Sequence, residues 1–588
     1  MAKQLQSASI AAPGFYGLNT QESSITLAAG FALQADNCVI DKYGRLGARK
    51  GWQYVTSGNT GVNLKGAHEF IDINGTRYFG CWSDTSFYIA DGSTLTPVTY
   101  SGSNTVTTDG WQAATLNDAA YLFSSDYDPI YFSPTSGVLD DIKNVTLATA
   151  VTITSSGTTA TVTHTAHGFA TGQEVTISGA TQTEYNGTFT ITVTGTDTYT
   201  YTLPNSTSSP ATGSPVATWQ KTDPPKANTV LSAYGRLWAA NTDTNKTTVY
   251  WSDLLDGTDW DSGTSGSLDL SSVLVKGNDE IVALGAHAGR LIIFCKNNVV
   301  IYGSSDSAQS FDPATMKLVE VINGVGCIAR DSVQNTGVDI IFLANDGLRS
   351  LGRLIQEKSQ PFRDLSKNIR DDLVRDIHGT DAASIRSLYS STEAFYLLLI
   401  PEYQRIYCFD TRQMLQDGSA RVTIWDNQTH TNMIEKYDPV LKKQEIYFTN
   451  ADGLAEYTGY TDNGDAYVMK YYTNYFDFGD ATNIKMLKRL STTLIGGSGQ
   501  DMVLKVGYDY DDSYRSFPIS IATQENAEWG VAEYNTTAEY TVGTLSDTVR
   551  AAVGGSGNVL QVGFESTING SQLSIQKLDI YIKTGRIY

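Results

Sequence analysis

The stretch "GRLIIFCKNNVVIYG" (289–303) decides the fold. Two short apolar runs, rich in β-branched and aromatic residues, flank a polar Asn-Asn step. Such side chains suit a pleated, half-buried surface, and Asn suits the turn between two strands. The same phrase recurs in "RYFGCWSDTSFYIADG" (77–92), "AAYLFSSDYDPIYFS" (119–133) and "GRLWAANTDTNKTTVYWS" (235–252). It returns in "VDIIFLANDGLRSLG" (338–352), "AFYLLLIPEYQRIYCFD" (394–410) and "QEIYFTNADGLAEYTG" (444–459). From Leu237 through Leu291, Ile340 and Tyr396 to Ile446 the steps are 54, 49, 56 and 50 residues. A period near fifty with at least two strands per unit predicts propeller blades or a related radial β array. The runs are too short and too β-branched for a helical solenoid. The irregular steps leave six to eight blades open.

Outward from the repeat, the register breaks once. Residues 146–222 interrupt it with a Thr-rich segment whose first seventy-five residues hold three acidic residues and no Lys or Arg. Alternation in "TATVTHT" and "FTITVTGTDTYTYTL" predicts strands with one polar face, and Asn186-Gly187 in "YNGT" predicts a hairpin turn. This reads as a small β-sandwich or barrel inserted in a loop and closed by the stiff "KTDPPK" (221–226). One helix is predicted over 361–378, where Phe362, Leu365, Ile369, Leu373 and Ile377 share a face and Gly379 follows as the cap. From 465 the strands lengthen and lose the blade period, which predicts a C-terminal β-sandwich ending on the Leu578/Ile580/Ile582 face. The expected organisation is therefore all-β: an arm and lead-in strand (1–55), blades (56–145), the insert (146–222), further blades with one interblade helix (223–464), and the sandwich (465–588).

Composition agrees with an all-β chain. Tyr (34) outnumbers Phe (20), Gly is plentiful (53), and the formal net charge is −21. That charge argues against tight nucleic-acid binding, which needs clustered Lys and Arg. Five dispersed cysteines form no C-x-x-C pair, so buried reduced thiols are expected rather than disulfides or zinc ligands. No apolar run reaches signal-peptide or membrane-spanning length, so folding in a cytoplasm is expected.

Motifs for chemistry are weak. His164 and His167 stand three apart, but in a strand-to-turn context. "YWSDLLDGTDW" (250–260) approaches a sialidase-type Asp turn with the wrong spacing, and "YDYDD" (508–512) lacks the glycine and distal glutamate of a Ca²⁺ loop. No nucleophile elbow, phosphate loop or dinucleotide fingerprint occurs. Neither catalytic residues nor a cofactor or metal site is predicted.

One stretch departs from the acidic background. "DKYGRLGARKGWQYV" (41–55) packs Lys42, Arg45, Arg49 and Lys50 into nine positions, followed by Trp52. With the residues before it, "PGFYGLNTQESSITLAAGFALQADNCVIDKYGRLGARKGWQYV" (13–55), it resembles the N-terminal region of tail nozzle proteins (tail tubular protein B-like) of short-tailed bacteriophages. Asn37, Cys38, Gly44, Leu46, Arg49, Gly51 and Trp52 carry the match. Relatives often have an Arg-Pro-Gly step where this chain has Arg49-Lys50-Gly51.

The resemblance implies a non-enzymatic virion structural protein, made in the host cytoplasm and assembled as a hexameric ring. Such a ring docks below the head-to-tail adaptor, carries tail fibres or tailspikes and lets phage DNA pass without specific binding. Lys42, Arg45, Arg49, Lys50 and Trp52 are then candidates for a subunit or adaptor interface, where cations meet carboxylates. An ordinary strand-turn-strand leading into the first blade is the plainer alternative for these residues. A receptor- or carbohydrate-binding propeller is the alternative for the whole chain, and a glycan depolymerase a third.

Overall fold

The computed structural model describes residues 5–55, 61–102, 110–142, 146–220, 223–261, 263–274, 279–304, 311–356, 364–497, 500–511, 513–521, 526–527, 539–540 and 546–585. The chain is all-β: a β-propeller body with an inserted small β-sandwich, a C-terminal β-sandwich and an interblade helix. It divides into two compact units, Met1–Glu69 with Phe79–Pro97 and Val325–Tyr588, and Phe70–Tyr78 with Val98–Gly324.

Among the described residues, seven meander sheets follow one another, at 66–98, 112–141, 227–269, 281–323, 334–350, 386–425 and 432–456. In the second unit, Ala227–Ala233, Arg236–Thr242, Thr248–Trp251 and Gly266–Asp269 make one blade, and Ile281–His287 to Met316–Asn323 the next. Blade faces pack on blade faces, which is why the apolar runs are continuous rather than alternating. Trp238, Leu284, Ile293 and Val300 share one buried cluster, and Phe123, Leu237 and Trp260 another. In the first unit the seventh blade takes its fourth strand from far upstream, since Gly453–Glu456 pairs with Gln53–Tyr54.

The insert holds two four-stranded sheets around Ile153, Val162, Ile177, Tyr185 and Tyr199. Its predicted Asn186-Gly187 hairpin is corrected. Thr183–Tyr185 forms a 3₁₀ turn, Asn186 is extended, and Gly187 already begins the strand. Asn186 instead uses its side chain, accepting from Ala180 N (3.0 Å) and donating to Ala180 O (2.8 Å). An amide that mimics a strand partner removes the need for a tight backbone turn.

Of the expected arm and lead-in strand at 1–55, Gln53–Tyr54 does lead into a blade, but the residues before it do not form a separate arm. Gln6–Ala11 pairs along Leu573–Thr584, and Cys38–Ile40 with Leu46–Ala48 extends the same sheet. Phe31–Asp36 lies beside Tyr467–Thr473 in the facing sheet, which continues without a break from the sixth blade. Ile10, Phe15, Leu46, Leu490, Leu578, Ile580 and Ile582 fill one core. The sandwich is thus built from both ends of the chain. Pieces of two to six residues give too short a pattern to announce partners more than 400 positions away.

The helix begins later than expected. A 3₁₀ turn, Lys367–Ile369, leads into Arg370–His378, and Leu365, Ile369, Leu373 and Ile377 join the core that holds Leu398 and Tyr407 of the sixth blade. Phe362 and the predicted start at 361 lie outside the described residues. Gly379 does cap the helix, donating to Arg375 O (3.1 Å), at φ −86° rather than in the left-handed region. A second short helix, Leu351–Gln356, follows the fifth blade.

Candidate functional site

The basic phrase folds as a hairpin and then a crossing strand. Asp41 organises the turn: its Oδ1 accepts from Tyr43 N (2.8 Å) and Arg45 N (2.9 Å), and its Oδ2 pairs with Arg45 Nε (2.7 Å). Arg45 is buried with its guanidinium 4.4 Å from the Tyr43 ring, while Lys42 is exposed at the tip, 5.0 Å from the same ring.

Arg49 is the centre of the site and is 1% exposed. Its Nη1 and Nη2 grip Asp462 Oδ1 (2.8 Å) and Oδ2 (2.6 Å), its Nε donates to Asn37 Oδ1 (2.9 Å), and its guanidinium lies 4.1 Å over Tyr467. Tyr467 donates its hydroxyl back to the Arg49 carbonyl. Burial lowers the Arg49 pKa, but the hydrogen bond and charge of Asp462 outweigh it and raise the net value. Bidentate pairing of this kind uses the planar fork that lysine lacks.

Asn37 sits at φ 53°, in the left-handed region that Asn tolerates, and reaches three segments. Besides Arg49, its Oδ1 accepts from Asp426 N (3.1 Å), and its Nδ2 donates to Val468 O (3.0 Å). Lys50 pairs with Glu393 (3.1 Å), and its backbone N–H donates to Tyr457 OH (3.0 Å), a bond that proline would forfeit. At Gly51 an added Cβ would overlap the carbonyl of Thr461. Trp52 is half-buried, its ring edge-on to Tyr54 and to His430, each at 5.3 Å.

Arg45, Arg49 and Lys50 are thus paired with carboxylates of their own subunit. The phrase ties the N-terminal segment to the seventh blade and to the C-terminal sandwich. Sequence reading singled out the cations and missed their partners Asn37, Asp462, Glu393 and Tyr467. An Asp-Asn-Gly-Asp turn at 462–465 is the one local hint.

His430 borders this brace. It is buried, stacks on Phe448 at 3.9 Å, and its ring nitrogens lie 2.6 Å from the Asn450 side-chain amide and 3.1 Å from that of Gln428, with one nitrogen donating and the other accepting in the neutral ring. Burial drives its pKa down to about 3, against the Asn450 hydrogen bond and with help from the Arg49 charge. The native ring therefore stays neutral where the unfolded one takes a proton. Its stabilisation is complete above pH 6.5 and is lost as pH falls toward 3, at about 1.4 kcal/mol per unit. His430→Gln should flatten this dependence by about one proton in urea titrations between pH 7 and 4.5. An unchanged slope would place the acid sensitivity elsewhere.

The weaker motifs resolve into structure. His167 accepts from Phe169 N at Nδ1 (3.0 Å) and bonds Gly195 O through Nε2 (3.1 Å), so both nitrogens are engaged. His164 packs beside it among Phe169, Tyr199 and Trp219. Asp253 accepts from Thr264 N and Oγ1 (both 2.8 Å), and Asp256 from Thr258, which makes "YWSDLLDGTDW" a network of side-chain-capped turns. In "YDYDD", Asp509 accepts from Asn558 N (2.6 Å) and Val559 N (3.1 Å), and Asp511 from Ser513 N (2.9 Å). Asp512 lies outside the described residues. Among the described residues no cluster of His, Cys, Asp and Glu is arranged to hold a metal ion, and no helix is long and apolar enough to cross a membrane.

No family model and no curated protein matches the chain. Solved structures resemble it only loosely. The Cps50 (Swd1) β-propeller domain of Myceliophteria thermophila is 8% identical over 70% of this chain and 98% of its own, with a TM-score of 0.33. BamB from Moraxella catarrhalis is 10% identical over 77% and 97% (TM-score 0.31). The endosialidase of phage phi92 is 11% identical over 90% and 79% (TM-score 0.23). None of these likenesses reaches to function.

Proposed function

We propose that this chain is a virion structural protein, the ring-forming tail nozzle of a short-tailed bacteriophage. The supporting observation is that the residues resembling that family's N-terminal phrase are those of the internal brace. Asn37, Arg49, Gly51 and Trp52 connect three parts of one subunit. A conduit must hold its shape while a genome passes, and a buried, bidentate cross-link between the N-terminal segment and the segment after the seventh blade serves that need. The net charge of −21 supports the same reading. An acidic channel wall repels phosphates weakly, so DNA slides rather than sticks.

Sedimentation and negative-stain microscopy of the purified protein, alone and with the tail adaptor, should show closed rings with an axial pore, and antibody labelling should place it at the distal tail. A protein that stays monomeric under both conditions and is missing from purified virions would defeat the proposal.

A further inference from the structure

We propose that the cleft between the second and third blades binds a neutral sugar ring. This inference is independent of the nozzle reading. The cleft encloses about 450 Å³, within the range of small-molecule sites.

Its floor is aromatic. In Thr248–Trp251, Val249 and Trp251 pack toward the fourth blade, so strand alternation turns Tyr250 the other way, onto the cluster shared with the second blade. Trp260 lies in that cluster too, 5.8 Å from Phe123. The Trp260 indole N–H is already satisfied by Gly257 O (3.0 Å), so the ring offers the cleft apolar surface rather than a donor.

Around this floor stand hydroxyls. Ser267 is the cross-strand partner of Tyr250 and shares its face. Ser125 comes from the second blade, and Thr242 and Thr244 also line the cleft, the Thr242 hydroxyl engaged with Asn245. Two carboxylates, Asp223 and Asp243, line the cavity, Asp243 paired with Lys246 (3.6 Å); among the described lining residues the one cation, Lys226, is paired with Asp128 at 2.9 Å.

This set suits a pyranose. Its C–H face covers an aromatic ring, and its hydroxyls donate to carboxylates and exchange hydrogen bonds with serine and threonine. A phosphate or a sialic acid meets two carboxylates and an already neutralised lysine. A polyamine would engage the carboxylates and rings but, being all donors, offers no acceptor to the Ser267 hydroxyl.

The test uses the full chain, saturation-transfer NMR and tryptophan fluorescence. The probes are maltotriose, mannotriose and chitotriose (neutral), sialyllactose (anionic) and spermidine (cationic). At least one neutral trisaccharide should bind, and more tightly than either charged probe. Ser267→Trp, which fills the cleft from an exposed position, should weaken that binding at least about tenfold, and Tyr250→Ala should do likewise. Thermal midpoints establish that both variants are folded. Absence of any neutral binder, preference for spermidine or sialyllactose, or neutral binding that survives both substitutions would each overturn the assignment.

Discussion

Arg49→Met should destabilise the protein by about 3–5 kcal/mol, because it removes the buried bidentate partner of the Asp462 carboxylate and leaves that charge uncompensated. Asn37 Oδ1 loses a charged donor in the same step, and the Tyr467 ring loses the cation above it. The loss is read as a lower urea midpoint and as earlier tryptic release of the N-terminal segment, which Arg49 ties to the seventh blade. The double variant Arg49→Met/Asp462→Leu should recover a large part of the deficit, since removing both charges relieves the desolvation penalty that removing one exposes. If the single variant melts within about 1 kcal/mol of the parent, the pair is not the brace described here.

Gly51→Ala should rival that effect by a different route. The methyl group would overlap the Thr461 carbonyl, and Gly51 cannot retreat without breaking its bonds to Gly459 O and from Thr458 N (both 3.0 Å). Those bonds hold the strand that enters the seventh blade at Gln53–Tyr54. Overpacking against backbone costs about 1–3 kcal/mol or more, because no rotamer change relieves it. Gly554→Ala is the control: its Cβ would meet nothing within 4 Å, so its thermal midpoint should stay close to that of the parent. Equal midpoints for Gly51→Ala and Gly554→Ala would show that the 459–465 segment yields freely.

The blades were legible because each carries its signal locally. "LIIFC" (291–295) and "FYLLLI" (395–400) are buried along their whole length, as a strand covered on both faces must be. The insert was legible for the opposite reason, since its alternating threonines mark sheets with one wet face. The brace was not legible. A cation cluster read along the chain resembles an exposed patch, and only the fold brings Asp462 back to Arg49 across 413 positions. Arg49 could be picked out as unusual, but its partner could not. The N-terminal strands were hidden in the same way, because their pairing lies almost entirely outside their own neighbourhood.

The insert's two ends have a further consequence. Thr146 and Gln220 face each other as the first paired residues of neighbouring strands. The insert's two ends, between the second and the third blade, therefore lie about 5 Å apart, one strand spacing. A cassette attached at such a narrow stem can be excised, exchanged or duplicated by recombination, leaving the host's own interior intact. Natural variation among descendants of this gene should therefore concentrate there, with whole modules gained or lost at a single splice point.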